Sequence, residues 1–96
     1  MNISDLKDKL NIVDVIGIDH KLKPDGHDRF IGIDHDSLTV WSTKQTWKWY
    51  SHNEANGDVL SWLSYKMFDQ CGVGSEQFKE VLREACRLAG IDYALA

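Results

Sequence analysis

Ninety-six residues are enough for one domain with a modest core, so stability has little margin unless something staples the fold. Fifteen acidic side chains against eleven basic ones give a net charge of −4, the reverse of the usual nucleic-acid-binding footprint. Cys71 and Cys86 form no CxxC pair and are too few for a disulfide framework; no run approaches the roughly 18 apolar residues of a membrane span.

In chain order, SDLKDKL from Ser4 to Leu10 predicts a short helix with Ser4 as N-cap. The charged opening MNISDLKDKL has no apolar stretch of the signal-peptide kind, so the cytoplasm is the expected location and the cysteines are expected to be free thiols. Asn11 then caps a second short helix, IVDVIG, which Gly17 ends. The period changes next. HKLK, the turn PDGHD and RFIGI predict a hairpin, with Pro24, Asp25 and Gly26 supplying the turn conformations. SLTVW and TWKWYS predict two more strands joined by STKQ. In the last of them Trp47 and Trp49 share one face and Lys48 and Tyr50 the other, because strand side chains alternate. The tryptophans are expected in the core, Lys48 and Tyr50 outside, and Trp41 is left unassigned.

Asn56-Gly57-Asp58 reads as a turn leading into a helix with Val59, Trp62, Leu63 and Met67 on its apolar face. CGVG breaks the chain. Ser75 is expected to cap a final helix in which Phe78, Val81, Leu82, Ala85, Leu88 and Ala89 keep the helical period, with Gly90 as its stop. The expected fold is therefore α+β: about four antiparallel strands between two short N-terminal helices and two C-terminal ones. The GIDH at Gly17–His20 recurs at Gly32–His35, but two copies of four residues make no repeat architecture.

Chemistry-bearing patterns are sparse. His20, His27, His35 and His52 lie near Asp19, Asp34 and Asp36, but the spacing fits no zinc motif, and turn histidines in water or hydrogen bonds are the expectation. Neither cysteine has a base marked beside it, Ser37 lacks a nucleophile elbow, and no glycine-rich phosphate loop is present. No catalytic site and no cofactor are expected. The remaining signal is the aromatic strand, where rings and lysines interleave as in single-strand binding surfaces. Between His20 and Tyr50, Lys21, Lys23, Arg29, Lys44 and Lys48 stand against Asp25, Asp28, Asp34 and Asp36, a net +1 that leaves −5 for the two ends.

NIVDVIG, HKLKPDGHDRFIGI, DSLTVW, the aromatic strand, NGDVLSWL and ACRLAGIDY follow one another in an order that resembles the N-terminal zinc-ribbon domain of bacterial and phage DNA primases. The resemblance runs from about Asn11 to Asp92. It implies a zinc-ribbon-like sheet and a non-catalytic domain that contacts single-stranded template DNA during replication. Lys21, Lys23, Arg29, Lys44, Lys48 and Tyr50 would then form the nucleic-acid-binding face. The family's four zinc ligands are missing here. Counting from Gly26 puts the first at Ile33, counting back from Gly57-Asp58 puts the second pair near Tyr50 and Asn53, and His35 alone could replace the family histidine. The resemblance therefore implies a ribbon without metal, with Trp47, Trp49 and Ile33 filling the volume that ligands organise in the family. The DNA-binding reading places the domain in replication or a mobile element; the other expectation is a protein-interaction module docking on a primase or helicase with no nucleic-acid binding, and a monomer is expected.

Overall fold

A computed structural model describes residues 3–33 and 37–91. His35, Asp34, Asp36 and Asp92, named above, lie outside them. The chain runs α1 (Ile3–Lys9), α2 (Ile12–Gly17), β1 (Leu22–Pro24), β2 (Arg29–Gly32), β3 (Leu38–Trp41), β4 (Thr46–Trp49), β5 (Ala55–Gly57), α3 (Val59–Phe68) and α4 (Ser75–Ala89). The sheet is an antiparallel meander in the order β1-β2-β3-β4-β5, with the helices packed over it and over one another. The fold is α+β, with one strand more than expected.

The added strand is the stretch read as a turn. Ala55, Asn56 and Gly57 pair with Trp49, Lys48 and Trp47, so the turn chemistry sits in a three-residue strand. Gly57 has φ 146°, and a Cβ there would come 2.4 Å from the Ser61 Cβ. Only glycine allows β5 to run this close to the first turn of α3. Asp58 follows as the N-cap of α3, accepting from the Ser61 N–H at 3.0 Å.

Asn11 caps α2 as the sequence indicates, accepting from the Val13 N–H at 2.9 Å. A second orphan donor of that helix, the Ile12 N–H, reaches Gln45 Oε1 at 2.7 Å and so ties α2 to the β3–β4 turn. Two other caps fall elsewhere. Helix α1 begins at Ile3, so Ser4 lies within it, and Gly74 rather than Ser75 holds the cap position of α4 without a side-chain bond. Gly90 closes α4 at φ 74°, the left-handed stop expected.

The core joins Leu38, Val40, Trp47 and Trp49 of the sheet to Leu6, Ile12, Ile16, Val59, Trp62, Leu63, Val81, Ala85 and Cys86 of the helices. Trp47 is 1% exposed and Trp49 8%, as their alternation predicts. Trp47 meets Trp62 edge to face at 5.0 Å and stacks on Tyr65 at 5.7 Å, while its Nε1 donates to the Asp58 carbonyl at 3.0 Å. Both cysteines are free thiols: Cys86 is buried and Cys71 half-buried. Two residues expected inside are outside. Met67 is exposed because i+8 has drifted off the face set by Val59, Trp62 and Leu63, and Ile33, 52% exposed, lies just beyond β2, two residues after Ile31 of the outward-facing set. Trp47 and Trp49 fill the core without Ile33.

Candidate nucleic-acid interface

Residues directly opposite in an antiparallel sheet share a face. The helix-covered face carries Leu22, Phe30, Leu38, Val40, Trp47 and Trp49. The opposite face is set by the same register. One row crosses the whole sheet as Lys23, Ile31, Thr39, Lys48 and Asn56, and a second contains Arg29, Trp41 and Thr46. At about 4.8 Å per strand, Lys23 and Lys48 stand roughly 14 Å apart across three strand spacings.

The six residues singled out from the sequence are distributed along this outer face. Lys23 and Lys48 are in the central row and Arg29 in the row beside it. Lys21 sits at one end of the sheet, its carbonyl accepting from the Ile33 N–H at 2.9 Å, and Tyr50 is at the same end, its N–H donating to the Ser37 carbonyl at 3.1 Å. Lys44 belongs to the turn at the other end, between β3 and β4, next to the Arg29–Trp41 pair. Tyr50 is half exposed, and the Lys48 Nζ lies 4.9 Å from its ring centroid, a cation–π contact.

Two of the cations already have carboxylate partners: Arg29 with Asp25 at 2.8 Å, and Lys48 with Glu54 at 4.0 Å. Both pairs are open to water and contribute at most about 1 kcal/mol, so a phosphate can compete for them. Lys21, Lys23 and Lys44 are exposed and form no ion pair among the described residues. The residue that sequence reasoning left open is Trp41. Its pairing with Arg29 places it on the outer face, half-buried. The signal was present: Val40 beside it is core, so alternation turns Trp41 outward.

At the Lys21–Tyr50 end, two turns meet where ligand counting put the family's metal. Ser37 Oγ and Ser51 Oγ are 2.7 Å apart, and the Tyr50 N–H bond to Ser37 reinforces the contact. Asn53 and Glu54 take left-handed conformations, φ 56° and 55°, to turn the chain back into β5. The donors do not fit zinc. Ile33 has none, Tyr50 and Asn53 offer no thiolate, and Cys71 and Cys86 belong to α4 and the loop before it. Among the described residues no three His, Cys, Asp or Glu side chains gather as a metal site would require.

A separate feature lies at the sheet edge, on the helix side. His20 stands edge-on to both Trp49 and Trp62, at 5.1 and 5.6 Å, and His52 lies against Trp49 at 3.9 Å. His52 is in a turn, exposed and hydrogen-bonded to the Tyr65 hydroxyl as expected, and both histidines also pack on indoles. With Tyr65, Asp19, Lys66 and Asp69 they line a cleft of about 310 Å³. Burial, with the charges of Asp69 and Cys71, pushes the Tyr65 phenol up from its ordinary pKa, so at neutral pH it keeps its proton.

No protein-family model matches the chain, and no curated protein matches it. Among solved structures it is similar to the Aquifex aeolicus primase, solved with its zinc-binding and RNA polymerase domains: TM-score 0.70 and 23% sequence identity over 96% of this chain and 23% of that one. The chain thus spans about a quarter of the primase chain it matches. No described helix is long and apolar enough to cross a membrane. The chain has the fold of a primase-like zinc ribbon, an α+β domain with a five-stranded antiparallel sheet.

Proposed function

We propose that this domain is a primase-related, non-catalytic binder of single-stranded template DNA, built on a zinc-ribbon fold that has dispensed with its metal. The observation that carries the reading is the outer sheet face. Lys23, Arg29 and Lys48 are held on it together with Trp41, and Tyr50 continues it beyond β4. Rings for stacking and cations for phosphate are what an unpaired strand needs, and neither demands a base sequence. Helices α1 and α4 each balance their charges, two acids against two bases and three against three, so neither carries the acidic excess of the chain. In this reading the protein works in the cytoplasm, in replication or a mobile element.

Fluorescence anisotropy of a labelled mixed-sequence oligonucleotide, repeated at several salt concentrations, tests it. Three phosphate contacts correspond to a slope of about −2 in log K against log salt. No binding up to high micromolar DNA would reject the reading.

A second reading has its own support. Ile18, Ile33 and Met67 are exposed apolar side chains, and the chain ends hold the acidic excess. The matching primase carries an RNA polymerase domain in the same chain. A protein-interaction module docking on a primase or helicase accounts for these features without any DNA contact. It requires that such a partner be retained by the domain and that oligonucleotides not be.

A further inference from the structure

We propose that the cleft between His20, Trp49, His52, Trp62 and Tyr65 binds one unstacked nucleobase, and prefers a base with an exocyclic amine. The inference deepens the single-strand reading above and rests on it for its biological setting. Its floor is aromatic: Trp49 and Trp62 stack at 6.0 Å with 23° between planes, and Tyr65 and His52 meet edge to face above them at 6.4 Å. The accessible rings are those of His52, which is exposed, and Tyr65, which is half-buried, their Nδ1 and hydroxyl sharing a hydrogen bond at 3.3 Å.

Charge narrows the ligand. Asp19 and Asp69 line the mouth with one amine, Lys66, which is already ion-paired to Asp19. Asp69 makes no ion pair among the described residues, so the mouth is acidic and repels phosphate. A neutral planar ring or a cation remains. Hydrogen bonding separates them. The His52 Nδ1 and Tyr65 hydroxyl offer polar edges, donors as well as acceptors, and their donors are ones that an ammonium ion, having no acceptor, cannot use. A base supplies ring nitrogens and carbonyls to those donors, and the amine of cytosine or adenine is a donor for the Asp69 carboxylate. The cleft is also within reach of a strand on the outer face. Tyr50 on that face and His52 in the cleft are two residues apart on the turn leaving β4.

The test is an amide and indole NMR titration with deoxycytidine, deoxyadenosine and thymidine, set beside a short mixed-sequence oligonucleotide and its abasic counterpart. Deoxycytidine and deoxyadenosine should shift the Trp62 indole, His52 and Tyr65 signals, with thymidine weaker by about tenfold, the value of one charge-assisted hydrogen bond. Asp69 is in a left-handed conformation that asparagine also adopts, so Asp69→Asn should keep the fold and erase that preference. The base-bearing oligonucleotide should bind about tenfold or more tightly than the abasic one. Equal binding of thymidine and deoxycytidine, silence toward all three nucleosides, or the same shifts produced by tetramethylammonium instead would overturn the proposal. If oligonucleotides bind through Lys23 and Lys48 while nucleosides are silent, the cleft fails alone. If nucleosides bind and oligonucleotides do not, the cleft stands and the outer-face reading fails.

Discussion

Replacing Trp47 by phenylalanine separates core packing from every other role of the aromatic strand. The substitution keeps an aromatic ring between Trp62 and Tyr65 but removes the fused pyrrole and its N–H. Trp47 Nε1 donates to the Asp58 carbonyl at 3.0 Å, and the same carbonyl also accepts the Trp62 N–H of α3 at 3.0 Å. The acceptor therefore stays satisfied, and the bond itself costs only about 0.5–1.5 kcal/mol. The deleted ring atoms lie in a site 1% exposed, and their lost contacts add about 1–2 kcal/mol in transfer and cavity terms. The sum is about 1.5–3.5 kcal/mol, out of a total of about 5–14 kcal/mol for 96 residues. Urea unfolding followed by far-UV circular dichroism measures it without relying on the altered fluorescence. Trp41→Phe on the outer face is the control and should change stability by about 1 kcal/mol or less. A Trp47→Phe loss below about 0.5 kcal/mol, or one matched by Trp41→Phe, would refute the claim that the β4 tryptophans organise the core.

Other consequences follow from the same geometry. Gly57→Ala should cost about 2–4 kcal/mol, the combined strain of a positive φ and of overpacking against Ser61, and a thermal melt unchanged from the parent would contradict the β5–α3 approach. Burial opposes ionisation of Asp58, but the Lys7 ammonium at 2.6 Å and the Ser61 N–H outweigh it and hold the carboxyl below its ordinary range. A carboxyl pKa depressed by folding stabilises above the unfolded-state value and ceases to do so as pH falls through the folded one. Asp58→Ala should therefore cost about 1 kcal/mol at neutral pH and progressively less below about pH 4, as seen in urea unfolding at each pH; a pH-independent difference would be evidence against it. Removing both Lys23 and Lys48 as alanines should flatten the salt slope of oligonucleotide binding by about 1.4, and an unchanged slope would move the interface elsewhere.

Much of the fold was legible because two periodicities change over at His20. Apolar residues at helical spacing in IVDVIG and FKEVLREACRLA gave α2 and α4, and the strict alternation of TWKWY put Trp47 and Trp49 inside. Signals decided by tertiary contact were not legible. The pairing of Ala55–Gly57 with β4 depends on a partner strand, so Asn-Gly looked like a turn. Met67 continues a helical pattern past the end of the surface it packs on, and Ile33 continues a strand pattern past the sheet. The outer face was half legible: alternation within each strand turns Lys48, Tyr50 and Trp41 outward, whereas the pairing that sets Trp41 opposite Arg29 needed the register. The cleft was not legible at all, since it gathers His20, His52 and Tyr65 from three separate segments. Ligand counting pointed to the Lys21–Tyr50 end of the sheet, where a Ser37–Ser51 hydrogen bond joins two turns.

The most direct measurement of the central claim is one amide NMR series on the protein: first with a chelator, then with added zinc, then with a short single-stranded DNA. The account predicts a dispersed, folded spectrum in chelator that zinc leaves unchanged, followed by DNA-induced shifts at Lys23, Trp41, Lys48 and Tyr50. A spectrum that is collapsed until zinc is added would contradict the metal-free scaffold, and a folded one indifferent to DNA would contradict the binding face.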